Sequence, residues 1–152
     1  MIKIGFSTNS WHPISILIRW WTQSEVSHVF VLYDDEQLGI PMVAEVVLNG
    51  FRVIPYAKFL RDNTIICVVE PKHDLSAGLK KVAAWLGRPF DFKALLGFCD
   101  LFKGFVQHPF DNPKELLCSE LVIRMLREAG YPGAKRLNPK TTSPQELLEF
   151  LS

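Results

Sequence analysis

Cysteine is scarce in this chain, with three in 152 residues, at positions 67, 99 and 118. They are odd in number and far apart, with no CxxC pair, which excludes a disulfide framework and a zinc knuckle and fits a reducing compartment. An excess of one charge is also lacking. Seventeen Lys and Arg face 16 Asp and Glu, a net +1, so no basic surface argues for a nucleic-acid partner. Long hydrophobic runs are absent. Val29–Tyr33 and Ile65–Val69 are each about a quarter of the ~20 residues that span a bilayer. The opening MIKIGFSTNSW lacks the apolar core of a secretion signal. The expectation is a cytoplasmic protein with no spanning segment. Neither a repeat nor a Ser/Gly-rich linker divides the chain, so residues 1–152 read as a single domain. There is no HExxH, and the four histidines are scattered, so no metal and no cofactor are expected.

What is present suits a folded domain: 48% hydrophobic and 22% charged residues exclude a disordered chain. The first half is strand-like. Ile2–Phe6, Val29–Tyr33, Met42–Leu48, Phe51–Ile54 and Thr64–Glu70 are apolar, rich in β-branched and aromatic residues. Between the first two, Ile14–Thr22 follows Pro13 and places Ile14, Leu17, Ile18 and Trp21 on one helical face. It reads either as a core helix or as one wall of an acyl-chain groove or membrane contact. The second half is helical. Ser76–Leu86 carries a Leu79, Val82, Ala83, Leu86 stripe with Gly87 as its stop. Asp91 is positioned to cap a helix over Asp91–Phe105. Asn112-Pro113-Lys114-Glu115 is a start signal for a helix running to Ala129 with Gly130 behind it. Ser143-Pro144-Gln145-Glu146 starts the last one, Gln145–Leu151. Strands followed by helices predict an α+β fold, an antiparallel sheet packed against helices.

Three residues stand out chemically. Cys67 and Cys99 lie in apolar stretches and read as small hydrophobes. Cys118, in ELLCSELVIRML, lies near a helix start, where free amides and the helix dipole stabilise a thiolate; a buried structural thiol is the other reading. His12, His73 and His108 read as solvated loop residues. His28 enters the strand SEVSHVFVLY on the face of Phe30 and Leu32, as either a packed core histidine or a base. If residues 34–41 close a hairpin, paired residue numbers sum to about 75. Glu45 then opposes Phe30 and lies diagonal to His28. The bland alternative for Glu45 is an edge-strand side chain pointing at water.

SHVFVLY, an acidic strand residue followed by NGFRVIPY, then GRPFDF, LLCSELV and a closing SPQELL, together resemble the circularly permuted NlpC-type papain-like proteins. The YiiX-like branch is the nearest likeness, and the lecithin retinol acyltransferase-like enzymes belong to the same group. The likeness runs from about residue 5 to residue 148, with the His strand first and the Cys helix last, the permuted order. It implies a papain-like fold in which Cys118 is the nucleophile, His28 the general base and Glu45 the residue that orients the imidazole. It also implies that Cys118 occupies the first turn of its helix, with Pro113–Leu117 a loop or short separate turn, against the capping signal at Asn112.

The function so implied is a thiol hydrolase cleaving an amide, peptide or ester through an acyl-enzyme, or an acyltransferase passing that acyl group on. Peptide, amide and lipid-ester substrates all fit, although without a signal sequence cell-wall peptide is the less natural one. The alternative is a catalytically inactive binding module on the same scaffold.

Overall fold

The computed structural model describes residues 1–9, 13–91 and 116–152. It is an α+β structure built on a five-stranded antiparallel sheet, in the spatial order β4-β3-β2-β1-β5. The strands are β1 (Ile2–Thr8), β2 (His28–Asp35), β3 (Ile40–Val47), β4 (Gly50–Pro55) and β5 (Thr64–Val69). The helices are α1 (Pro13–Thr22), α2 (Tyr56–Phe59), α3 (Ser76–Ala83), α4 (Cys118–Glu128) and α5 (Pro144–Leu151), with a 3₁₀ turn at Ala134–Arg136. All five expected strands form within one or two residues of their apolar runs. Among the described residues no helix is long and apolar enough to cross a membrane.

Strand alternation sorts the sheet's side chains onto two faces. Val29 and Val31 of β2, Ala44 and Val46 of β3 and Phe51 of β4 point toward the helices. They share the main core with Leu121, Val122, Met125 and Leu126 of α4 and Leu147 of α5. Phe30, Val43 and Ile54 point the other way, onto Phe59 of α2 in a smaller cluster. The sheet is thus apolar on both faces, and a polar side chain on either is conspicuous.

Helix α3 departs from expectation, and α1 keeps to it where described. Helix α3 closes at Ala83. Beyond it Trp85 and Leu86 make the shorter i→i−3 bonds to Val82 and Ala83, so the chain tightens into 3₁₀-like turns and leaves Leu86 51% exposed. The buried row of this segment is Leu75, Gly78 and Val82. Gly78 is required there: a Cβ would strike the Met125 carbonyl of α4. In α1, Ile18 enters the core while Ile16 and Trp20 face outward, Trp20 67% exposed. The helix expected over Asp91–Phe105, with Cys99 in it, lies outside the described residues beyond Asp91 itself. So do His12, His108 and the capping signal at Asn112. Asp91 is buried, and its carboxylate meets Lys140 Nζ at 3.0 Å.

The start of α4 matters most for function. The backbone of Pro89–Asp91 pairs with Leu116, through Leu116 N–H to Pro89 O at 2.9 Å and Asp91 N–H to Leu116 O at 3.0 Å. Leu117 is extended, and the helix opens at Cys118. The thiol therefore sits in the first helical turn, as the family likeness implied and the sequence capping signal did not. The end of α4 is as read: Ala129 is its C-cap and Gly130 follows with a positive φ of 72°. The closing box also forms, Ser143 Oγ accepting from Glu146 N–H and the Glu146 carboxylate accepting from Ser143 N–H.

Candidate active site

Cys118, His28 and Glu45 come together at one end of the sheet, where β2 begins, β3 ends and α4 starts. The β2–β3 register is Val31↔Ala44, Leu32↔Val43 and Tyr33↔Met42, the pairing that the hairpin at residues 34–41 predicts. Continued, it sets Glu45 diagonal to His28 on the same face. His28 Nε2 lies 2.8 Å from Glu45 Oε2. A carboxylate only accepts, so Nε2 carries the proton, and Nδ1 is the nitrogen left for the Cys118 thiol, with which the ring is hydrogen-bonded. The ring's flat side rests near Phe59, centroids 6.3 Å apart.

Glu45 is 1% exposed, and an unpaired carboxylate there would cost several kcal/mol. It is doubly paired. Arg52, directly across the β3–β4 ladder, donates Nε and Nη2 to Glu45 Oε1 at 2.9 and 2.7 Å. Sequence reading missed Arg52, although a signal existed. The two-residue Leu48–Asn49 turn, closed by Gly50 at φ 101°, sets a register in which Glu45 faces Arg52.

The electrostatics follow from these contacts. Burial alone pulls the His28 imidazolium down, but the hydrogen bonds and charges of Cys118 and Glu45 overcome it and lift the group well above its ordinary 6.5. Burial pushes the Cys118 thiol up. The His28 hydrogen bond and charge, with backbone N–H groups of Val29 and Ser119, outweigh that and hold it below the ordinary thiol value. Burial likewise raises Glu45, and His28 and Arg52 together bring it below the usual carboxylate range. The three contacts thus act in one direction: they favour the imidazolium at His28 and the ionised forms of Cys118 and Glu45.

Cys118 is only 4% exposed, yet it lines a cleft of about 500 Å³ with His28, Glu45 and Arg52. Ser15 and Ser27 form part of one wall. Asn9 N–H donates to Ser15 Oγ at 3.2 Å, Ser15 and Ser27 hydroxyls are bonded to each other, and Ser27 Oγ reaches Thr8 Oγ1 at 3.4 Å. As the first helical residue, Cys118 has a backbone N–H with no acceptor inside α4, which suits an oxyanion.

Behind the thiol, a second polar cluster fixes the helix start. Glu120, 1% exposed, accepts from Leu117 N–H at 3.3 Å and from Arg124 Nε at 2.8 Å. Lys140 Nζ lies 3.0 Å from both Glu120 and Asp91. Burial alone would lower the Lys140 amine; the two carboxylates more than offset it. No sequence motif joins these residues.

The other cysteine and histidine among the described residues, Cys67 and His73, stand apart from this site. Cys67 on β5 packs half-buried against the main core, and burial pushes its thiol up. His73 is not the freely solvated residue expected: its Nε2 lies 2.7 Å from Ala129 O at the end of α4, with Tyr131 edge-on at 5.7 Å. Among the described residues no three His, Cys, Asp or Glu side chains converge as metal ligands would. No protein-family model matches the chain, and no curated protein matches it significantly.

Proposed function

We propose that this protein is a cysteine-dependent hydrolase of amides, peptides or esters, or an acyltransferase, on a circularly permuted NlpC-type papain-like fold related to the YiiX-like branch. The observation that carries the reading is the buried Glu45 carboxylate 2.8 Å from His28 Nε2, with the thiol of a helix-opening Cys118 on the ring's other side. A structural cysteine and a core histidine need no such third partner.

In this reading the Cys118 thiolate attacks the substrate carbonyl carbon, and the oxygen that gains charge is held in part by the Cys118 N–H. His28 then gives its proton to the departing amine or alcohol, leaving a thioester on Cys118. Neutral His28 takes a proton from water, or from an acceptor alcohol or amine, as that group attacks the thioester and releases Cys118. Glu45 keeps the ring in the Nε2-protonated tautomer and stabilises its charged form.

Thiol reactivity separates this from an inactive binding module. With iodoacetamide near pH 6, Cys118 should react on the order of tenfold or more faster than Cys67, because thiolate fraction outweighs exposure. Cys118→Ala should remove labelling by ester- and amide-directed acylating probes while leaving cooperative unfolding intact. Equal labelling of the two cysteines in the native protein would count against a live site.

A further inference from the structure

We propose that Arg52 is a positioning residue of this site, clamping Glu45 in its His28-facing orientation and closing a line of alternating charges that runs Arg52, Glu45, His28, Cys118. The inference rests on the Cys118–His28–Glu45 reading and adds to it a fourth group on a fourth element.

Geometry singles Arg52 out. Glu45 uses one oxygen for each neighbour: Oε2 for His28 at 2.8 Å, Oε1 for the Arg52 Nε and Nη2 at 2.9 and 2.7 Å. A carboxylate gripped by two donors on one oxygen cannot turn about its terminal bond without breaking them, so the oxygen facing His28 is fixed. Arg52 is placed by the β3–β4 ladder, directly opposite Glu45. With 41% of its side chain exposed against 1% for Glu45, it spans from the buried carboxylate to the cleft. A lysine could supply the charge but not this two-pronged grip.

Behind the thiol, the Asp91, Glu120, Arg124 and Lys140 cluster sets two carboxylates against two cations, and the remaining charges belong to the cleft. His28 comes from β2, Glu45 from β3, Arg52 from β4 and Cys118 from α4, and the segment between α2 and β5 adds Arg61 and Asp62, exposed and of opposite sign. Arg61 and Asp62 offset each other. With His28 charged and Cys118 ionised, the four site groups sum to zero only while Arg52 is present. Removing it leaves one net negative charge in a buried setting, which favours the protonated thiol. The pH at which Cys118 becomes reactive should therefore rise.

The test is the pH dependence of Cys118 alkylation in the full-length wild type, Arg52→Met and Arg52→Lys, with thermal unfolding run on each. In the wild type the midpoint should fall well below the ordinary thiol value of about 8.5. Arg52→Met should move it up by roughly one pH unit, the low end of what a neighbouring charge does. Arg52→Lys should return it most of the way. Millimolar methylguanidinium added to Arg52→Ala should lower the midpoint again, because the vacated place opens on the cleft. A merely structural arginine would move neither the midpoint nor the rescue. If Arg52→Met does not unfold cooperatively, Arg52→Gln, which keeps a donor and loses the charge, takes its place with the same expected shift. Superimposable wild-type and Arg52→Met curves, with a low wild-type midpoint, would overturn the role of Arg52 and leave the triad standing. A wild-type midpoint at the ordinary thiol value would instead overturn the proposed function itself.

Discussion

Glu45 shows how one side chain comes to matter out of proportion to its size. Burial should favour its neutral form, yet two cationic partners keep it charged, and with Cys118 it in turn keeps His28 protonated. Glu45→Gln preserves the shape and removes the charge. The His28 ring should then lose its proton at a lower pH than in the wild type, which the ring-proton NMR titration reads directly. Turnover of any substrate found by probe screening should fall by up to about 10⁴, the loss that neutralising an orienting acid can cause. Stability should change with pH in a definite sense. A His28 value raised above 6.5 contributes stability that is complete below that pH and is lost as pH rises through the raised value. The lowered Cys118 value contributes stability that is complete above the ordinary thiol value and is lost as pH falls through the lowered one. The His28–Glu45 contact was legible in the sequence because a short hairpin fixes register by arithmetic, and a one-residue slip would have thrown Glu45 to the other face. Arg52 was legible by the same arithmetic one hairpin further on, at Val47↔Gly50, where it was not applied.

At the scale of elements, the decisive feature is where α4 begins. Local capping chemistry favoured a start at Asn112, whereas the helix opens at Cys118. The reason is tertiary. Leu116 is drawn into backbone pairing with Pro89 and Asp91, and Glu120 reaches back to the Leu117 N–H. Lys140 ties Glu120 to Asp91. Contacts spanning that much chain leave no periodic trace, so neither this cluster nor the pairing of Asp91 with Lys140 could be read from spacing. Lys140→Met should cost about 3–5 kcal/mol, because it takes from two buried carboxylates, Asp91 and Glu120, the ammonium that both contact. A lower urea midpoint with an unchanged m-value would establish the loss. A change below about 0.5 kcal/mol would show that the cluster does not hold the helix start.

For the whole molecule, the site forms only when β2 and α4 have met, since His28 is carried by β2 and Cys118 by α4. Unfolding in urea should erase the difference between Cys118 and Cys67. Both should then alkylate at one rate, with midpoints near the ordinary value of about 8.5. A Cys118 that stayed fast in the unfolded chain would owe its reactivity to sequence neighbours alone. The sheet gives this dependence a direction in time. Strands β2, β3 and β4 are neighbours in space because they are neighbours in sequence, and such short-range pairings close readily. During synthesis from the N-terminus, His28, Glu45 and Arg52 leave the ribosome long before Cys118 is added. The thiol is thus added after the other three residues of the site. On the proposed reading, Cys118 has the reactivity of an ordinary thiol until α4 docks on β2, so activation is confined to the completed fold.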